Sequence, residues 1–285
     1  MSRLPQRLTL LACFALATAS AQAQFNLRNL DINKLVDTAK NTAKATTEIG
    51  EQEEIGIGRD VAARLLGASP LMANDGVQRY VNHVGRWLAS QTERPDLPWQ
   101  FGVLEAPQLN AFATPGGNVF ITRGLLERTK NEAELAGVLA HEMAHVLRKH
   151  HLKAIQKGAQ TALAGEALQQ ALTNRGGANA NREKLISLGS EVFARGLDKG
   201  DELEADRLGV AIAARGGYDA YGLPAVLQTL QAMNPQDSGL ALMFKTHPAP
   251  AERLDALEKL QGLLDAYAAQ PQLAERFAAS ARARR

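Results

Sequence analysis

Asn131-Glu132-Ala133-Glu134-Leu135-Ala136-Gly137-Val138-Leu139-Ala140-His141-Glu142-Met143-Ala144-His145 is the stretch on which the reading of this chain turns. Apolar residues recur at Leu135, Val138, Leu139, Met143 and Leu147, which is helical spacing. Asn131 and Glu134 stand where a capping box would start the helix. The helix is expected to run at least to His150. His141 and His145, four residues apart, then share one face. Because the rest of the helix is largely apolar, these two imidazoles and Glu142 are polar groups drawn into a core, where they need a partner.

The flanking sequence predicts more helix and a little sheet. Helices are expected over 25–47, 52–66 (ended by Gly67 and Pro70) and 74–91, the last with Val77, Tyr80, Val81, Val84 and Leu88 on one face. Trp99 to Leu104 is strand-like. Asn110-Ala111-Phe112-Ala113 and Asn118-Val119-Phe120-Ile121 flank Thr114-Pro115-Gly116-Gly117, a hairpin signal. Downstream, 171–181 is rich in Gly, Ala and Asn and reads as a loop. Helices are expected over 182–193, 199–214, 223–233 and 251–269, followed by an Arg- and Ala-rich frayed tail. With 45% apolar residues, 5% aromatics and a formal charge of +2, the chain can bury a sizeable helix-rich core. No basic run is interleaved with aromatics, so nucleic acid is not an expected partner.

The first residues read as a signal peptide. Arg3 and Arg7 precede an apolar run from Leu8 to Ala17, and Ala21-Gln22-Ala23 is a small-x-small cleavage site. The apolar run is too short to span a bilayer, and no later segment suffices, so no membrane span is expected in the mature chain. The alternative is a lipid anchor on Cys13, whose context Leu10-Leu11-Ala12-Cys13 resembles a lipobox. Cys13 is the only cysteine. The expected division is a signal peptide over 1–23, a lead-in helix over 24–50, one catalytic domain over 51–270 and a tail over 271–285.

Cleavage before Gln24 removes Cys13, so a metal site in the mature chain must use imidazole and carboxylate. His141 and His145 can share one Zn2+, and Glu142 beside them can take a proton from a water that the metal acidifies. A third protein ligand is required. His151 has the spacing of the longer three-histidine motif, but Arg148 stands where that motif has a chain-turning glycine. On a continuous helix His151 would lie about 9 Å beyond His145, so it is set aside. His150 and His151 are expected to face solvent at the helix end. Glu202 and Asp206, four apart at the start of another helix, are better placed. One carboxylate can bind zinc while the other accepts a ligand histidine's ring N–H. The plain alternative is an acidic helix N-terminus stabilised by the dipole.

Three stretches together resemble a known family: Asn110 to Gly124, His141 to His145, and Glu202-Leu203-Glu204-Ala205-Asp206. The family is that of the zinc metallopeptidases related to HtpX, the Ste-type CAAX proteases and the Oma-like proteases. The signal-bearing form is most like its periplasmic BepA and LoiP branch. The resemblance implies an α+β, mainly helical, zincin-like (gluzincin) fold with a small sheet whose edge strand flanks the catalytic helix. It implies one zinc per chain on His141, His145 and Glu202, with Glu142 as general base, Asp206 as a supporting acid and Glu204 not a ligand. A periplasmic endopeptidase acting on unfolded or misassembled proteins is then expected, its partners polypeptide substrates that include outer-membrane proteins or their assembly machinery. A helical-repeat chaperone function is not expected to carry over.

Two further elements take roles from this resemblance. Asn110, Ala111, Phe112 and Ala113 become the candidate edge for an extended substrate backbone, against the alternative of an ordinary hairpin. Thr246-His247-Pro248-Ala249-Pro250-Ala251-Glu252-Arg253 resembles the family's His-Pro segment. Arg253 or His247 can stabilise an oxyanion. His247 can instead take the fourth zinc position and hold the enzyme inactive, or be a plain loop histidine.

Overall fold

The computed structural model describes residues 49–158, 196–234, 237 and 239–281. The expected signal peptide, nearly all of the lead-in helix, the 171–181 loop and the 182–193 helix lie outside these residues.

Two helices come first, α1 (Glu51–Ala68) and α2 (Asp75–Ala89). Asn74 starts α2 by accepting a hydrogen bond from the Val77 amide at 3.0 Å. Its apolar face is the expected one: Val77, Val81, Val84 and Leu88 are buried, and Tyr80 packs against the same core. Three strands follow, β1 (Gln100–Leu104), β2 (Ala111–Thr114) and β3 (Asn118–Thr122). The hairpin forms as its turn residues predict. β2 and β3 pair antiparallel with Thr114 opposite Asn118, and Gly116 and Gly117 carry φ of 77° and 107°. Gly116 is doubly constrained, since a Cβ there would lie 2.6 Å from Ile55 Cα. Its amide donates to Glu54, a buried carboxylate that also pairs with Arg94 at 3.0 Å.

The sheet order is β1-β3-β2, with β1 parallel to β3. Its two edges are treated differently. On the β1 side, α2 supplies amide side chains to the strand backbone. Gln78 bonds the Val103 amide and carbonyl at 2.9 and 2.8 Å, and Asn82 accepts from the Phe101 amide at 3.1 Å. On the β2 side no further strand pairs among the described residues. Unprotected edges are templates for another extended chain.

After the short α3 (Arg123–Leu126) comes α4 (Glu132–Leu147), buried along its whole length. Asn131 caps it, accepting from the Glu134 amide at 2.8 Å. Glu134 returns the bond one residue earlier than a standard box, to the Lys130 amide at 2.8 Å. The helix does not run on to His150. Arg148 closes it and Lys149 takes a left-handed φ of 57°, after which helical backbone resumes over 150–158.

Around α4 pack α5 (Lys199–Arg215) and α6 (Gly222–Gln231). The short α7 (Ala241–Thr246) ends at His247, and α8 (Pro250–Glu258) follows with proline in its first turn. The single helix expected over 251–269 is instead α8 and α9 (Gln261–Ala266), interrupted at Lys259-Leu260. The mainly helical α+β architecture agrees with expectation. No helix among the described residues is long and apolar enough to cross a membrane.

The expected tail after 270 contains a core element. α10 (Ala274–Ala281) buries Phe277 and Ala281 in the main hydrophobic cluster with Leu135 and Leu139 of α4. Arg276 grips Glu132, the first residue of α4, with Nε at 2.6 Å and a second contact through Nη2. The hydroxyls of Tyr80 and Tyr218 donate to the same carboxylate at 2.7 and 2.8 Å. Burial raises the Glu132 pKa, but these donors outweigh it and hold the group below its ordinary value. Phe277→Ala is therefore expected to lower unfolding stability by about 3–5 kcal/mol. Denaturant titration would measure this as a shifted midpoint, whereas a frayed tail would give none.

Candidate active site

α4 presents His141 and His145 on one face, as their spacing requires, and their Nε2 atoms lie 3.1 Å apart. α5 crosses this face. Glu202 comes within 3.6 Å of each imidazole, through Oε2 to His141 Nε2 and Oε1 to His145 Nε2. All three side chains are buried. The approach of the helices depends on Gly209, three residues beyond Asp206. A Cβ there would stand 2.9 Å from both Cα and N of His141.

The donor set fits a metal. Ligand bonds of about 2.0–2.1 Å in a tetrahedron require donor–donor separations of about 3.3 Å, and the imidazole–imidazole separation of 3.1 Å and the 3.6 Å from each imidazole to one Glu202 oxygen lie on either side of that value. Glu202 Oε2 is buried with no hydrogen-bond partner among the described residues, a costly state unless a cation satisfies it. His247, reaching in from the end of α7, completes a group of four whose donor atoms lie within 4.8 Å of one another. Its Nε2 is 3.9 Å from both Glu142 Oε1 and Glu202 Oε2, and its Nδ1 is 2.9 Å from Thr246 Oγ1.

Electrostatics divides these groups by role. Burial, helped by the neighbouring Glu202 charge, lifts Glu142 to about 7. Burial also raises Glu202, but the surrounding His247 and His141 reverse this and bring it down to about 2. Two carboxylates a few residues from one ion site thus separate into a poised base and a permanent anion. Burial lowers His145 well below its ordinary value, and the other histidines add to the shift. Burial likewise takes His247 down to about 4. For His141, burial and Arg253 lower the value, but the neighbouring Asp206 and Glu202 carboxylates prevail and raise it to about 9.

Asp206 accepts from His141 Nδ1 at 2.9 Å, the contact expected for a carboxylate that orients a ligand ring. Arg253, on α8, pairs with it bidentately through Nε at 2.9 Å and Nη2 at 2.5 Å. Arg253 is thereby committed to Asp206, while it also lines a cavity of about 30 Å³ with Glu142, His141, Val138, Leu223 and Met243. A second cavity, of about 20 Å³, lies between Glu142, His145, Glu202 and His247 on one side and Ala111 and Phe112 on the other. Within the expected substrate edge, Ala111 and Phe112 face the site. Asn110 is fully buried and bonded through its backbone to Thr122, and neither it nor Ala113 lines these cavities.

His150 and His151 do not point to solvent as expected. His150 is fully buried with its Nδ1 3.0 Å from His145 Nδ1, and the His151 ring lies 5.3 Å from that of His145. The cause is Lys149, whose left-handed backbone turns the chain back. A continuous helix would have carried both away. Five of the six histidines therefore gather at this site. His151 remains outside the four-residue donor group.

A buried helix carrying two histidines and a glutamate, crossed by a helix of carboxylates beside an open sheet edge, defines a metallopeptidase. The model of Peptidase family M48 matches residues 76–261, and this chain belongs to that family. It is 30% identical to the beta-barrel assembly-enhancing protease of Yersinia pestis over 83% of this chain and 49% of that protein. The protein of the same name from Escherichia coli (strain K12) is 31% identical, over 75% of this chain and 44% of its own length. The mitochondrial metalloendopeptidase OMA1 of Schizosaccharomyces pombe is 30% identical over 63% of this chain and 52% of that protein. The chain spans about half the length of the curated relatives it matches.

Proposed function

We propose that this chain is a zinc-dependent endopeptidase of the cell envelope, with one Zn2+ held by His141, His145 and Glu202. The observation that carries this is the convergence of buried donors: His141 and His145 Nε2 lie 3.1 Å apart, and each lies 3.6 Å from one of the two Glu202 carboxylate oxygens. Zinc bound there supplies Lewis acidity, acidifying a water and polarising a substrate carbonyl. Glu142 accepts the proton of the attacking water on its carboxylate and passes it to the departing amide nitrogen, for which a value near 7 suits it. Asp206 and Arg253 hold His141 in the orientation that keeps Nε2 directed at the ligand site. An extended substrate pairs with the outer edge of β2, bringing its scissile bond past Ala111 and Phe112 to Glu142.

The family's beta-barrel assembly-enhancing relatives support a substrate class of unfolded or misassembled outer-membrane proteins. The signal-like N-terminus supports a periplasmic location, with Cys13 lipidation as the alternative anchor. In this division the peptidase domain begins near residue 51 and includes α10. The purified protein is expected to contain one zinc per chain and to cleave an unfolded protein such as casein. Removal of the metal by a chelator should abolish cleavage, and added zinc should restore it. Metal content near zero in active protein would defeat the reading.

His247 gives the site a regulator. As fourth donor it would exclude the nucleophilic water, so its withdrawal would be required for turnover. His247→Ala is then expected to raise the rate of casein cleavage several-fold, by about 1 kcal/mol of released competition. An unchanged or lower rate would count against inhibition.

A further inference from the structure

The chemistry above leaves one buried histidine of the site without a task. His150 touches His145 on the side away from the proposed metal, with Nδ1 atoms 3.0 Å apart and rings edge-on at 5.1 Å. Its other nitrogen, Nε2, is buried and has no hydrogen-bond partner among the described residues. That nitrogen faces Glu204 Oε2 at 3.4 Å and Asp201 Oδ1 at 3.6 Å, both on the first turns of α5.

Two imidazole nitrogens 3.0 Å apart share one proton. If His145 directs the Nε2 lone pair at a metal, that proton sits on its Nδ1 and His150 Nδ1 accepts. The His150 proton must then sit on Nε2, where the negative charges of Glu204 and Asp201, 3.4 and 3.6 Å away, favour it. Each tautomer in this chain is set by the next group, ending at fixed anions. His141 reaches its carboxylate, Asp206, directly at 2.9 Å. Among the described residues no carboxylate touches His145 Nδ1 in the same way, and His150 spans the gap.

We propose that His150 is a positioning residue that, backed by Glu204 and Asp201, fixes His145 in the tautomer that ligates metal. The proposal rests on the reading of His145 as a ligand. It gives α5 three separate duties: Glu202 toward the metal, Asp206 behind His141, and Asp201 with Glu204 behind His145. It also gives a purpose to the left-handed Lys149, which returns His150 to the back of the ligand ring.

The test is zinc affinity of the full chain, measured by competition with a chelator of known affinity. His150→Leu removes the acceptor and is expected to weaken binding about 10–100-fold. His150→Asn keeps an acceptor oxygen at the Nδ1 position and should remain within about threefold of the unmodified protein. Asp201→Ala with Glu204→Ala removes two half-buried anions, and with them the Glu204 pair to Arg148 at 3.1 Å, and should also weaken binding. Circular dichroism and melting of the metal-free proteins check that the fold is retained. Wild-type affinity in His150→Leu, or equal weakening in the Leu and Asn variants, would overturn the proposal. If His150→Leu fails to fold, an unaffected Asp201/Glu204 double variant or a weakened His150→Asn does so instead. His145→Ala separates the two levels: undiminished zinc binding there defeats the ligand assignment itself.

Discussion

Glu142→Gln is expected to lower kcat by about 10²–10⁴-fold while leaving one zinc bound and KM nearly unchanged. Glutamine keeps the shape of the side chain but cannot accept a proton. Glu142 is 3% exposed, so bulk water has little room to substitute for it as base. It is not part of the donor group formed by His141, His145, Glu202 and His247, so metal retention is expected to separate its role from theirs. Removing its charge also removes a neighbour that repels the Glu202 anion. Metal content and steady-state cleavage measured on the same preparation check both halves. A variant within tenfold of the parent kcat, or one stripped of zinc, would reject the assignment of Glu142 as base.

Gly209→Val is expected to injure the site without touching any functional group. Even the first carbon of the new side chain would sit 2.9 Å from His141 Cα and N. Backbone atoms in the middle of a buried helix cannot yield as a flexible side chain can. α5 must move away from α4, taking Glu202 and Asp206 with it. Overpacking of this kind costs about 1–3 kcal/mol of stability, and misplacement of about 1 Å at a catalytic centre can cost about 10²-fold in rate. The variant should melt lower and lose most of its cleavage and zinc affinity together. Parent-like zinc affinity would show that the contact of these helices does not set the ligand geometry.

The residues with the strongest local signals were the legible ones. His141, Glu142 and His145 announce themselves by helical spacing in an apolar run, and Glu202 and Asp206 by the same spacing in an acidic one. The Pro115-Gly116-Gly117 turn marked the hairpin because only glycine adopts its two positive φ values at no steric cost. The parallel pairing of β1 with β3 carries no such local mark, since it depends on contacts distant along the chain. The break after Leu147 was hidden for a different reason. Neither glycine nor proline stands there, and a lysine takes the left-handed turn that glycine usually supplies. An unbroken helix carries His150 and His151 into solvent, so their place beside His145 has no mark in the sequence. Gly209 had a usable signal, because glycine inside a helix costs about 1 kcal/mol relative to alanine and so points to a close approach. α10 offered one phenylalanine among alanines and charges, too little pattern to distinguish a packed helix from a loose end.

The grip of Arg276 and Phe277 on the start of α4 sets the smallest piece of this protein that can stand alone. The family match spans residues 76–261, yet α10 lies beyond it and α1 before it. Shortened to the matched residues, the chain would keep every proposed zinc ligand and lose the parts that anchor them. Glu132 would be left buried with its cationic partner gone, a strongly unfavourable state, and the Gly116 turn would lose Glu54. The span of the family match is thus narrower than the cooperative unit, and boundaries for recombinant expression or for domain exchange should follow the buried contacts rather than that match.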